Sequence, residues 1–228
     1  MTSEATASVR IPPASEVFED EGLRQAAAAA ERGDVEAIRA RGPIDLNAVS
    51  SSGANLLMFE IVAQNETAVR ALLDAGADPN HVTKDEGASP MMAAAISNDP
   101  RWLNLLLDKG GNPNLRTGGK PGDPLLTLLV YYGRWENMLV LLDRGADIEA
   151  TSPTGETAAF RLASLYQFDH VYELLERGAD PAHADLNRLT LKVFVAKPLP
   201  QDSPQEPWRK RVAERIGLEL EPTDAADK

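Results

Sequence analysis

The chain contains no cysteine. That excludes disulfides, thiolate metal sites and a cysteine nucleophile. It also lacks any apolar run near the ~20 residues needed to cross a bilayer. Met1–Pro13 has neither a basic opening nor an apolar core, so no secretory leader is expected and the default address is the cytoplasm. Positive charge is scarce as well: 23 Lys and Arg stand against 35 Asp and Glu, a formal net charge of −12. Nucleic-acid affinity rests on cations meeting phosphates, so an acidic chain argues against that class and against an electrostatic membrane binder. Aromatics make up only 5%.

What the sequence does hold is ordinary for a globular protein: 43% hydrophobic and 25% charged residues across 228 positions. Its organising feature is a repeat. Four stretches, Asn55–Gly76, Ser89–Gly110, Pro124–Gly145 and Thr157–Gly178, align without gaps. Each ends in a leucine-rich helix and a glycine, as in Ala71-Leu72-Leu73-Asp74-Ala75-Gly76 and Val140-Leu141-Leu142-Asp143-Arg144-Gly145. The terminal glycines are 34, 35 and 33 residues apart. Asn55, Ser89 and Thr157 stand where a side chain caps a first helix. The glycine suits a left-handed C-cap, and Pro79, Pro113 and Pro181 block helix continuation. One helix pair cannot bury its apolar face alone, so a stack is required.

In this period and in these segments the chain resembles the ankyrin repeat family, over roughly residues 23–196. The family's Thr-Pro-Leu-His opening survives as Ser89-Pro90-Met91-Met92 and looser versions in the other copies. The resemblance implies an all-α solenoid of stacked helix-turn-helix units joined by short hairpin loops. The expected plan is a flexible N-terminus over 1–15, then a repeat domain over 16–196. Within that domain lie a modified cap at 23–47, full repeats near 48–80, 81–114, 115–149 and 150–182, and a partial repeat at 183–196. A loop and capping helix follow over 197–218, with Trp208, Val212 and Ile216 on one face, and then a flexible tail over 219–228.

No catalytic motif is present: no Gly-rich phosphate loop, no His-Glu-x-x-His and no nucleophile elbow. His81 and His183 are three repeats apart, too far to share a metal, and His170 falls on the core side of an outer helix. Asp78, Asp147 and Asp180 read as turn-forming residues, as do Asn80 and Asn114. An enzyme, a metal site and a cofactor are therefore not expected.

The resemblance instead implies a protein-binding module acting through loop tips and inner helices. Departures from the repeat are the candidate contacts. The 80–89 loop is longer than strict spacing and carries Lys84, Asp85 and Glu86, while the 114–124 loop carries Arg116, Lys120 and Asp123. Tyr131 and Tyr132 end an inner helix and Trp135 opens the next, with Tyr166 and Phe168 in the corresponding stretch one repeat on. Residues 48–184 carry a net −8, which would steer a basic partner, whereas 185–228 balance and hold a basic cluster at Arg209, Lys210, Arg211 and Arg215. By analogy, neutralisation of a basic nuclease-like toxin as an immunity protein is one alternative, and a structural spacer is another. The chain is expected to be monomeric alone.

Overall fold

The computed structural model describes residues 12–42, 44–84, 87–119, 121–200 and 202–221. Among these residues there is no strand, only two isolated antiparallel bridges, Val49 with Asn55 and Arg116 with Pro124. The chain divides into two compact units, one ending at Gly111 and the other starting at Asn112.

The first unit holds α1 (Ala14–Val17), α2 (Glu21–Glu31), α3 (Val35–Arg39), α4 (Leu56–Val62), α5 (Glu66–Ala75), α6 (Pro90–Ile96) and α7 (Pro100–Asp108). The stretch expected to fray through residue 15 is corrected at its end. Ala14 is buried at the start of α1, and the neighbouring Phe18 meets Phe59 edge to face, with ring centroids 6.1 Å apart. In α2, Ala26, Ala27, Ala29 and Ala30 are all fully buried, and their small side chains let α5 pack closely. The second unit holds α8 (Leu125–Tyr132), α9 (Trp135–Asp143), α10 (Ala158–Ser164), α11 (Phe168–Glu176), α12 (Lys192–Val195) and α13 (Glu206–Arg215). Here α8 packs on α10 and α10 on α12, while α11 packs on α13.

Local chemistry explains the helix limits. Asn55 Oδ1 accepts from Met58 N at 2.9 Å, Ser89 Oγ from Met92 N at 3.0 Å, and Thr157 Oγ1 from Phe160 N at 3.2 Å. At the far ends Gly76, Gly110, Gly145 and Gly178 all have φ between 84° and 106°, where a side chain would be strained. Between those ends every outer helix completely buries the leucine of one shared column, Leu72, Leu106, Leu141 and Leu174, and each such burial is worth about 2 kcal/mol.

The turn residues hold the repeats in register. Asp78, Asp147 and Asp180 accept from the backbone N–H two residues on, at 2.8 to 3.0 Å. Successive repeats are also tied directly. Asn47 Oδ1 accepts from Asp78 N at 2.9 Å in the first unit. In the second unit Asn114 Oδ1 accepts from Asp147 N at 2.7 Å and Glu149 Oε1 from Asp180 N at 2.8 Å.

The C-terminal cap differs from its expected face. Val212 is fully buried, but Trp208 and Ile216 are only half-buried, and the inward face consists of Glu206, Arg209, Val212 and Ala213. Arg209 is no member of a surface cluster. Its guanidinium donates to both Glu206 carboxylate oxygens, at 2.6 and 2.8 Å, and to Val195 O at 2.9 Å. Those bonds hold the Glu206 carboxyl below its usual range.

Candidate functional site

The 114–124 loop closes as a small hairpin. Thr117 N donates to Asp123 O at 2.8 Å, and Asp123 N to Thr117 Oγ1 at 3.0 Å. At Gly122 a Cβ would lie 1.8 Å from Thr117 O, so no larger residue fits this crossing. Arg116 secures the loop, donating to Gly122 O at 2.9 Å and to Thr151 O at 2.6 Å. The result places Asp123 beside the N-terminus of α8, facing α10.

There it meets Arg161, which is only 6% exposed. Its guanidinium donates to Asp123 Oδ1 at 3.0 Å, Glu156 Oε2 at 3.1 Å and Thr127 O at 3.3 Å. Above it lies the Tyr131 ring, with the guanidinium carbon 4.5 Å from the ring centroid. Tyr131 itself is 63% exposed and Tyr132 42%. Leu165, which occupies Tyr132's position one repeat on, is also exposed. The second unit therefore exposes two aromatic rings and a leucine, and one of the rings, Tyr131, is anchored from beneath.

The remaining candidates fall elsewhere. Trp135 is half-buried and stacks on His170 of the next repeat, with centroids 4.0 Å apart and planes 17° from parallel. A pocket of about 130 Å³ beside this stack is lined by Leu129, Gly133, Arg134, Met138 and Gln167. Tyr166 takes φ 58° and meets buried Phe168 edge to face at 6.0 Å. Lys84 is exposed in the first unit and borders a cleft with Asp45, Val49 and His81. Asp85, Glu86 and Lys120 lie outside the described residues. The structure thus brings Asp123 and Tyr131 together through Arg161 and leaves Lys84 in a different unit.

Two important residues escaped the reading of loops and aromatics, and one signal would have found both. Arg161 stands in the repeat column of Phe59, Ala93 and Leu128. Glu60 stands in the column of Ala94, Leu129 and Leu162, all buried. A charge in an otherwise apolar column is the signature.

Among the described residues no group of three or more His, Asp or Glu is placed to hold a metal ion. No helix there is long and apolar enough to cross a membrane.

Comparison with known proteins agrees with this architecture. Residues 26–117 match the family model for ankyrin repeats, in three copies. The ankyrin repeat protein EF0377 is similar in structure, with a TM-score of 0.61 and 21% identity over 85% of this chain and 94% of that one. So is the ankyrin repeat domain of Bcl-3, a member of the IkappaB family, with a TM-score of 0.71 and 20% identity over 89% of this chain and 88% of that one. No curated protein matches the sequence. Residues 26–117 carry ankyrin repeats, which are in general protein-interaction modules, and the two solved structures share the ankyrin-repeat fold over most of the chain.

Proposed function

We propose that this protein binds a protein partner through the Tyr131, Tyr132 and Leu165 surface of its second unit, with no catalysis of its own. The observation that carries the reading is the anchoring of Tyr131. An exposed aromatic ring is usually free to rotate, and ordering it on binding costs entropy. Here the ring rests on a guanidinium that two carboxylates and a carbonyl already hold. Such a preorganised aromatic suits a binding hot spot, where truncation typically costs about 2 kcal/mol or more. The net charge of −8 over residues 48–184 favours a partner with a basic face, through long-range attraction.

The test compares the wild-type chain with a Tyr131→Ala/Tyr132→Ala double variant as bait in the source cells, with quantitative mass spectrometry. The expected result is one protein retained by the wild type and lost by the variant, while the variant's circular dichroism spectrum shows that it remains folded. A partner captured equally by both sets this surface aside.

A further inference from the structure

Glu60 lies on α4 at a core position, and only 2% of it is exposed. Its Oε1 has no hydrogen-bond partner. The Asn65 side chain hydrogen-bonds the same carboxyl. Leaving a carboxylate oxygen buried and unsatisfied is costly, so its retention in an apolar column calls for a reason. Glu60 borders a cleft of about 570 Å³, which is also lined by Glu31, Phe59, Ala63, Gln64, Pro12 and Pro13. Gln64 holds the left-handed conformation at φ 58°, which turns the chain sharply at this wall.

We propose that this cleft is a binding site for a lysine or arginine side chain of a partner protein, its cationic head seated between Glu60 and Glu31 and its alkyl stem against Phe59 and the two prolines. The chemistry selects such a ligand in three ways. Two carboxylates facing one cavity repel each other until a cation enters. The N–H donors of an organic cation pair strongly with a carboxylate, and the Glu60 oxygen that has no partner is closed to solvent until such a ligand draws it toward the cleft. The apolar part of the wall, Phe59, Ala63 and the two prolines, suits a methylene stem, which a hydrated metal ion does not have.

The electrostatics of the cleft agree. Burial first, and Glu31 second, push the Glu60 carboxyl up to about 7. No other titratable group acts on it from the packed elements. On α1, Glu16 is exposed. On α5, Glu66 and Arg70 pair with each other, and Asp74 pairs with Lys109. The helix α6 carries no charged side chain. The site therefore loses affinity as Glu60 takes up its proton.

The experiment is calorimetric titration of the full chain with Nα-acetyl-lysinamide, Nα-acetyl-argininamide and spermidine at fixed ionic strength. The Glu60 carboxyl carbon is followed by NMR in parallel. The expected result is saturable binding of at least one capped amino acid, about tenfold weaker at pH 6 than at pH 8. Glu60→Gln, which is isosteric and removes the buried charge, should abolish it, and Glu31→Gln should weaken it. Three results overturn the proposal: no saturable displacement of the Glu60 signal by either capped amino acid, unchanged affinity in Glu60→Gln, or the same displacement by magnesium chloride. Tighter binding of spermidine than of both capped amino acids overturns the assignment to a protein side chain.

Discussion

The Arg161 guanidinium sits 4.5 Å from the Tyr131 ring centroid, at the one position where the first-helix column of this repeat turns from apolar to charged. The two residues make each other possible. Tyr131 covers Arg161, and Arg161, held by Asp123 and Glu156, fixes Tyr131 in its exposed place.

Removing Arg161 should therefore destabilise the second unit. Arg161→Ala leaves Asp123 and Glu156 facing each other without their cation, and both are less than a third exposed. The expected loss is about 2–3 kcal/mol in urea unfolding. Adding Asp123→Asn and Glu156→Gln to that variant should recover part of it. A loss that the added substitutions do not reduce would mean that the charges were not the cause.

Glu60 makes a separate prediction about pH. Its carboxyl titrates near the ordinary value of 4.5 when unfolded and at about 7 when folded. Both states bind its proton below 4.5, so there is no penalty there. As pH rises from 4.5 to 7, the unfolded chain ionises first and the folded state loses ground. The deficit is complete above 7 and amounts to about 3 kcal/mol. Glu60→Gln should match the wild type near pH 4 and exceed it by about this amount at pH 8. Parallel stability curves for the two proteins across that range would contradict the burial argument.

At the C-terminus, Arg209→Ala should cost about 3 kcal/mol, because Glu206 and Val195 O both lose a buried partner. The effect should reach α12 and α13 before the rest of the unit, visible as faster amide exchange from Phe194 to Val212. Exchange that stays unchanged there would show that Val212 and Ala213 hold the cap unaided.

Gly111 runs against the repeat. The other copies have Ala77, Ala146 and Ala179 at this place, which suggests that Gly111→Ala would stabilise. The structure indicates the opposite sign. A Cβ at Gly111 would lie 2.5 Å from Met91 Sδ and 2.9 Å from Leu106 O. The expected cost is about 1–3 kcal/mol, with partial recovery on adding Met91→Leu, the residue type at Leu57 and Leu126. Thermal unfolding of the single and double variants decides it, and a single variant that melts higher than wild type would refute the clash.

Much of the architecture was legible in advance. The positions of the helix pairs, the caps at Asn55, Ser89 and Thr157, and the glycines that end the outer helices all follow from local chemistry repeated at fixed spacing. The candidate site was legible only in part. Tyr131 and Tyr132 stood out as aromatics at a helix end, but the ring stacking that engages Trp135 with His170 spans 35 residues of chain. The cap helix shows the same limit. Its apolar residues at i, i+4 and i+8 named Val212 correctly, but two charged residues, Glu206 and Arg209, fill the rest of its inner face by neutralising each other.

The sequence by itself determined the repeat: its period, its turns and the leucine column that is buried in every copy. Periodic burial needs only that neighbouring copies share a pattern, and that pattern is written along the chain. Only the tertiary structure decided what Arg161 and Glu60 do. Each occupies an apolar column, and linear order does not distinguish a charge that finds its counter-charges from one left with an unpaired oxygen. Asp123 reaches Arg161 across 38 residues of chain, and Glu31 reaches Glu60 from another helix. The energy of a buried charge is set by those distant neighbours and by the water excluded around it, both of which exist only once the helices have packed.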